Sequence, residues 1–150
     1  VGGSLSSNRN SNPFGGPFNI APEQVRIVDF PCFCLEQGKP NPRSAVKYEL
    51  VPLATVNDDP RLPELLAGYA EGGIDREAAQ AAVWHAANDL SWSRLAALSQ
   101  RLLPGIERPL FDARQLRQAR ALVESAEKQV AAKQAASQKE LATVVKPPRL

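Results

Sequence analysis

The chain has 150 residues, of which 43% are hydrophobic and 23% are charged, and its 18 basic and 16 acidic side chains give a net charge of +2. Because the two signs are interspersed, the sequence lacks the basic stripe that binds nucleic acid, and we expect no such partner. It contains no apolar run long enough to span a membrane.

Residues 1–21 are mainly Gly, Ser, Asn and Pro, with a single charge at Arg9. Such a stretch buries too little apolar surface to offset the entropy of ordering it, so we predict a flexible linker. The chain opens with Val1 and contains no Met. We therefore expect that it is a processed or excised part of a longer protein, and a secretory signal or an anchor could lie outside it.

Two stretches after the linker alternate between apolar and polar residues in the manner of strands. The first is Gln24–Phe30, which Pro31 ends, and the second is Val46–Val51. Residues 37–42 between them are rich in turn formers. We predict that the two strands form a loose hairpin with a long loop.

Three short helices are predicted next, because apolar residues recur at spacings of three and four. They cover residues 60–69, 75–88 and 92–103. Asp75 and Ser91 are suitable N-caps for the second and third of these helices. A Gly-Gly pair follows the first helix and a Pro-Gly pair follows the third, as at many helix ends.

A long final helix is predicted from Asp112, its expected N-cap. After Val130 its apolar stripe thins to alanines among Lys, Gln and Ser, so this end is expected to be an exposed extension. A protein partner could bind the helix through residues 112–142. The stripe comprises Leu116, Ala119, Leu122, Val123, Ala126 and Val130.

Together these elements predict an α+β fold, in which a small two-stranded hairpin packs on three short helices and a long C-terminal helix follows. The predicted organisation is a flexible linker over 1–21, a small α+β domain over 22–107, a long amphipathic to polar helix over 108–145 and a tail over 146–150. One domain with appendages fits the length of the chain.

Gln80 is the polar residue that fits least well in its predicted helix. It lies one turn before Val83 and Trp84 and shares their apolar face. A buried carboxamide costs free energy unless it is hydrogen-bonded, so we expect a partner for it elsewhere in the chain. The candidates are a main-chain group or a sulfur of the segment from Cys32 to Cys34.

Cys34 and Gln80 could also react with each other. A thiolate at Cys34 could attack the side-chain carbonyl carbon of Gln80, release ammonia and leave an internal thioester. The small alanines beside Gln80 would let another part of the backbone approach it closely. An amine or an alcohol could later attack the thioester and become covalently linked.

The stretch Ala79–Trp84 resembles the Gln-x-Ala-(Ile/Val)-Trp signature of the bacterial thioester domains found on surface adhesins, and Phe33-Cys34-Leu35 is similar to the cysteine context of that family. The resemblance implies that Cys34 supplies the sulfur and Gln80 the acyl carbon. It implies a non-enzymatic, secreted surface or envelope protein that attaches to an amine or alcohol nucleophile. We accordingly expect an extracytoplasmic or cell-envelope location and no cofactor.

A group of short bacterial proteins of uncharacterised function provides a second resemblance. It is carried by Cys34-Leu35-Glu36 with Gly38-Lys39-Pro40, and by Trp84-His85 with Asn88 and Ser91-Trp92.

A packed core is an alternative interpretation of the same residues. Gln80 would then hydrogen-bond the backbone of a strand, Trp84 would fill the centre, and Cys34 would behave as a small buried apolar residue. The chain would be a structural or protein-interaction module with no chemistry.

A cysteine hydrolase is a further alternative. Cys34 or Cys32 would pair with His85, which is the single histidine and so the one candidate base near neutral pH, with Asn88 or Asp89 nearby. Two cysteines and one histidine are too few ligands for a closed zinc site, and we expect no metal.

Overall fold

The computed structural model describes residues 31–40 and 42–144, with side chains described as far as Glu140. The chain divides into two units after Cys32, and the second unit, Phe33–Leu150, contains every helix and strand of the described residues. An antiparallel hairpin, several short helices and a long C-terminal helix confirm the predicted α+β class. The elements are α1 (Leu53–Val56), α2 (Arg61–Ala70), α3 (Arg76–Asn88), α4 (Trp92–Ala96), β1 (Ser99–Leu103), β2 (Ile106–Pro109) and α5 (Ala113–Val144).

Helices α2 and α3 form where the sequence predicts helices. Leu62 and Leu65 are buried on one face of α2, and the helix ends ahead of Gly72, whose φ of 92° favours glycine. Helix α3 begins after Asp75, whose carboxylate accepts hydrogen bonds from main-chain N–H groups of the first turn. The same is true of Ser91 at the start of α4, so both predicted N-caps are confirmed.

Helix α5 packs across α2 and α3. It begins with a reciprocal cap, in which the N–H of Gln115 donates to Oδ1 of Asp112 at 2.7 Å and the N–H of Asp112 donates to Oε1 of Gln115 at 2.9 Å. Its apolar stripe is buried as far as Ala126, whereas residues 131–140 are all exposed. The buried and the exposed parts of the helix meet near Val130.

The core lies where α2, α3 and α5 meet. At Gly68 of α2, a Cβ atom would lie 2.9 Å from Cδ1 of Leu122, so α2 and α5 approach closely at this point. Small side chains on α3 permit a similarly close approach, because an alanine adds only a methyl group to the helix surface. The buried residues of α3 are Ala78, Ala79, Ala81, Ala82, Val83 and Ala86.

The hairpin lies in a different part of the chain from the predicted one. The helix predicted over 92–103 ends at Ala96, and β1 instead pairs with β2. Pro104 and Gly105 connect the two strands, and the φ of 79° at Gly105 suits the second position of a Pro-Gly turn. The prediction of a helix to residue 103 was therefore wrong, because this turn lets two adjacent segments exchange main-chain hydrogen bonds.

The two strands predicted near the N-terminus do not form the sheet of the described structure. Gln24–Phe30 lies outside the described residues, as do the predicted linker 1–21 and tail 146–150. Val46–Val51 is described and forms no strand, and residues 42–52 are all exposed. Alternation stabilises a strand only when a neighbouring strand pairs with it, and no described residue does so here.

An ion pair between Asp59 and Arg61 lies at the start of α2, and Arg61 also contacts the end of α3. Asp59 accepts hydrogen bonds from Nε and Nη2 of Arg61, the shortest at 2.6 Å, and Nη2 also donates to the main-chain oxygen of Ala86 at 3.3 Å. The relative exposures of the two side chains are 25% for Arg61 and 18% for Asp59. The hydrogen bonds from Arg61 lower the pKa of Asp59 below its usual value, because they stabilise the carboxylate more than burial penalises it.

Replacing Asp59 by Asn is expected to lower the free energy of unfolding at neutral pH by about 1 kcal/mol, because charge-assisted hydrogen bonds to Arg61 are lost. The folded-state pKa of Asp59 lies below its unfolded-state value. Its stabilising contribution is therefore present above the unfolded-state pKa and disappears as the pH falls through the folded-state pKa.

Urea denaturation at neutral and acidic pH should show a difference between Asp59→Asn and the wild type that closes in acid. Asp58→Asn is the matched control, because Asp58 is adjacent and exposed and should change stability little at either pH. A difference for Asp59→Asn that does not depend on pH would contradict this account.

Candidate functional site

The carboxamide of Gln80 binds both main-chain polar groups of Cys34. The N–H of Cys34 donates to Oε1 of Gln80 at 2.9 Å, and Nε2 of Gln80 donates to the main-chain oxygen of Cys34 at 2.8 Å. Facing residues of two antiparallel strands exchange the same pair of bonds, so the side chain of α3 takes the place of a neighbouring strand. The expectation that Gln80 would have a hydrogen-bonding partner elsewhere in the chain is confirmed, and of the two candidates the partner is a main-chain group.

Asn88 repeats this arrangement near the end of α3. Its Nδ2 donates to the main-chain oxygen of Leu35 at 2.9 Å, and its Oδ1 accepts a hydrogen bond from the N–H of Gln37 at 2.9 Å. Eight residues separate Asn88 from Gln80, which is slightly more than two helical turns. The two carboxamides therefore bind one continuous segment, Phe33–Gln37, which we call the clamped segment.

The side chains on either side of Cys34 attach the clamped segment to the body of the domain. The ring of Phe33 packs edge-on against the ring of Tyr69 in α2, with centroids 4.9 Å apart and planes at 87°. Leu35 is partly buried and packs against the core cluster. Main-chain hydrogen bonds and two apolar anchors thus hold the same five residues.

Asn88 was assigned no such role from the sequence, where it appeared as a possible member of a hydrolase site and as part of a resemblance to short bacterial proteins. The sequence does contain a signal, because Asn88 lies about two turns after Gln80 and both carry a carboxamide that can donate and accept at once. Such a pair on one helix can bind main-chain donors and acceptors at two points of a passing segment.

The hydrogen bonds between Gln80 and Cys34 involve the main chain of Cys34 and not its thiol. Because its N–H and C=O both point toward Gln80, the residue is extended, and the side chain of an extended residue stands roughly perpendicular to these groups. Cys34 is half-buried, Cys32 is exposed, and neither is in a disulfide. The structure brings Cys34 and Gln80 together, and the covalent bond between them stays a prediction.

His85 faces a different neighbourhood from Cys34. Its Nδ1 lies 2.7 Å from the main-chain oxygen of Leu90, and because a carbonyl can only accept, Nδ1 is the donor. Its ring stacks on Trp92 with centroids 4.2 Å apart, and the guanidinium of Arg120 lies 5.0 Å from the centre of the Trp92 ring. Among the described residues, these polar and ring contacts do not connect His85 with Cys34 or Gln80.

Trp84 packs in the core instead of lining the clamped segment. Its ring lies edge-on to Phe111, with centroids 5.8 Å apart. Its indole Nε1 is buried and makes no hydrogen bond with a described residue. Trp84 and Trp92 are both partly buried and pack against the hydrophobic core.

The described residues contain neither a cluster of metal ligands nor a membrane-spanning helix. Residues 31–40 and 42–144 include no group of three or more His, Cys, Asp and Glu side chains placed to hold a metal ion. No helix within these ranges is both long enough and apolar enough to cross a membrane.

Comparison of the chain with models of protein families, with curated proteins and with solved structures gave no match. The comparisons therefore neither support nor oppose the resemblance to thioester domains. The contacts of the described residues carry the functional proposal.

Replacing Gln80 by Ala is expected to lower the free energy of unfolding by about 1–3 kcal/mol, because the part-buried N–H and C=O of Cys34 both lose their partner. Gln129→Ala is the matched control, since Gln129 is exposed on α5 and the change in helix propensity is the same. Urea denaturation gives the stabilities, and hydrogen exchange at the Cys34 amide should accelerate only in Gln80→Ala. Equal stabilities of the two variants would contradict a role for Gln80 in holding the segment.

Replacing Gln80 by Glu tests the donor separately from the acceptor. A carboxylate can accept the hydrogen bond from the N–H of Cys34 but repels its carbonyl oxygen, whereas a protonated carboxyl can donate to that oxygen. The folded-state pKa of the new residue should therefore be raised, and Gln80→Glu should regain stability relative to the wild type as the pH is lowered through that pKa. Gln129→Glu should show no such recovery.

Proposed function

We propose that the chain is a non-catalytic protein-interaction module, in which Gln80 and Cys34 are structural residues of the body. The observation that carries the proposal is the pair of hydrogen bonds between the Gln80 carboxamide and the Cys34 main chain. Both polar atoms of the carboxamide are engaged, so this half-buried side chain is satisfied by a non-covalent contact. No covalent reaction with Cys34 is needed to explain why Gln80 lies at this position in α3.

The arrangement of possible catalytic groups also favours a module without chemistry. A nucleophilic cysteine requires a neighbouring base within hydrogen-bond reach or another group that stabilises its thiolate. The ring of His85 is instead hydrogen-bonded to Leu90 and stacked on Trp92. Among the described residues, no contact joins the thiol of Cys34 to this imidazole.

The part of α5 beyond Val130 is the surface that we propose for a partner. The preceding turns are anchored in the core through Leu122, Val123 and Ala126, so the exposed turns have a fixed direction. Residues 131–140 are all exposed, and the side chains among them include four alanines, which let another helix approach closely. This supports the predicted helix-mediated partner and places its contact in the exposed end of the predicted range 112–142.

A second candidate is the internal thioester, and the proximity of Cys34 and Gln80 favours it. In that reaction the Cys34 sulfur bonds to the side-chain carbonyl carbon of Gln80, and Nε2 leaves as ammonia with the proton of the thiol. Nε2 is also the atom that donates to the Cys34 main-chain oxygen, so the reaction would remove that hydrogen bond. If the thioester forms, the resemblance also implies a secreted surface or envelope location and an amine or alcohol partner.

Intact mass distinguishes the two candidates. The interaction module predicts the full mass expected from the sequence, no addition of methylamine, and alkylation of the Cys34 thiol after mild unfolding. Cys34→Ala should then change the free energy of unfolding by at most about 1 kcal/mol, because only a small side chain is lost. A protein lighter by one ammonia that adds methylamine at Gln80 would overturn the module and establish the thioester.

Gln80→Ala and Cys34→Ser provide the controls for this measurement. Neither variant can form the thioester, so neither should differ from its sequence mass or add methylamine. If the wild type matches both variants in these respects, the thioester is excluded and the resemblance extends only to a short stretch of helix.

A further inference from the structure

Residues 42–52 form an exposed arm between two anchored parts of the domain. The clamped segment lies before the arm, and α1 follows it with Leu53 packed against the core. Every residue of the arm is exposed, including apolar side chains: Val46 is 46% exposed, Tyr48 is 63% exposed, and Leu50 is fully exposed. Apolar residues that alternate with polar ones, as Val46, Tyr48 and Leu50 do, are typical of a strand, and no described strand pairs with them.

The main chain of the arm is also available for pairing. The N–H of Val46 donates to the oxygen of Arg43 at 3.0 Å, and the hydroxyl of Tyr48 accepts from the N–H of Arg43 at 3.0 Å. These bonds turn the chain just before the alternating stretch. The main chains of Lys47 and Glu49 make no hydrogen bond with another described residue.

We infer that the arm pairs with the arm of a second copy of this chain, as two antiparallel strands related by a twofold axis through Tyr48. In this register Val46 faces Leu50 of the second copy, and Tyr48 faces Tyr48. Lys47 faces Glu49 of the second copy, and by symmetry Glu49 faces its Lys47. Apolar residues then share one face of the pair, and two opposite-charge pairs lie on the other.

The ends of the stretch agree with the same register. The turn closed by Arg43 and Val46 encloses Ala45, so the pairing runs from Val46 to Leu50, and each position in it meets a residue of matching character. The bonds would be exchanged through the main chains of Lys47 and Glu49, which leaves the N–H of Val46 in its bond to Arg43. Tyr48 then occupies a position where facing side chains approach most closely.

Other registers are less favourable, so the sequence of the arm is complementary to itself in one antiparallel register. A shift of one residue places Lys47 against Leu50 and Tyr48 against Glu49. A shift of two residues places Glu49 against Glu49, or Lys47 against Lys47 in the other direction. A parallel in-register pair would face each charge with itself, and like charges directly opposite destabilise a pair of strands.

The contact is small, so we expect a weak, concentration-dependent dimer. Sedimentation equilibrium of the full chain from micromolar to millimolar concentration should show an average mass that rises toward twice the monomer. A wild-type chain that stays monomeric across this range would overturn the inference and assign the arm to another partner.

Charge reversal tests the register. Either Lys47→Glu or Glu49→Lys places two pairs of like charges in the dimer. The dissociation constant of the dimer should therefore be about tenfold or more higher for each variant alone than for the wild type. An equimolar mixture of the two should dimerise again, because the glutamate introduced at position 47 of one variant would face the lysine introduced at position 49 of the other. The double variant Lys47→Glu with Glu49→Lys should associate as the wild type does.

Lys128→Glu and Glu124→Lys are the matched controls. Both residues are exposed on α5, and the two substitutions change the net charge by the same amounts as Lys47→Glu and Glu49→Lys. Each control should associate as the wild type does, and circular dichroism should show the same helix content in all variants. Dimers of either arm variant that are as stable as the wild type would overturn the inference. A mixture of the two arm variants that fails to dimerise would also overturn the inference, because Lys47 would then not face Glu49 of the second copy.

Discussion

Buried main-chain N–H and C=O groups must be hydrogen-bonded, and the packing of the clamped segment depends on how this domain meets that requirement. In most folds an extended segment that lies on a core is paired with a neighbouring strand. Here α3 supplies the partners from Gln80 and Asn88, whose carboxamides each donate one bond and accept another. With its main chain satisfied, the segment can place Phe33 and Leu35 against the helices.

The same helix serves two packing functions because its faces carry different side chains. Alanines such as Ala79, Ala82 and Ala86 are buried and leave room for α2 and α5 to approach. The longer carboxamides lie where α3 meets a main chain instead of another helix. The bond from Arg61 to the oxygen of Ala86 holds α2 beside α3, so Tyr69 is in place to receive Phe33.

Much of the helical part of the fold could be predicted from local signals. Apolar spacing located α2, α3 and α5, and the caps at Asp75 and Ser91 act within one turn of the residue that carries them. The hairpin could not be predicted in the same way. Leu95, Leu98 and Leu102 fit a helical period, yet β1 is stabilised by hydrogen bonds to β2, which the spacing of its own side chains does not reveal.

At the site, the sequence is enough to predict that Gln80 needs a partner, since its position beside Val83 and Trp84 puts a carboxamide on a helix face that packs. It also limited the candidates to a main-chain group or a cysteine sulfur. That the main chain of Cys34 makes the contact, and that Asn88 makes a second one, follows from the folded arrangement and not from the local pattern. The reason is physical: a carboxamide can bind any suitable donor and acceptor, and packing alone decides which atoms come within about 3 Å of it.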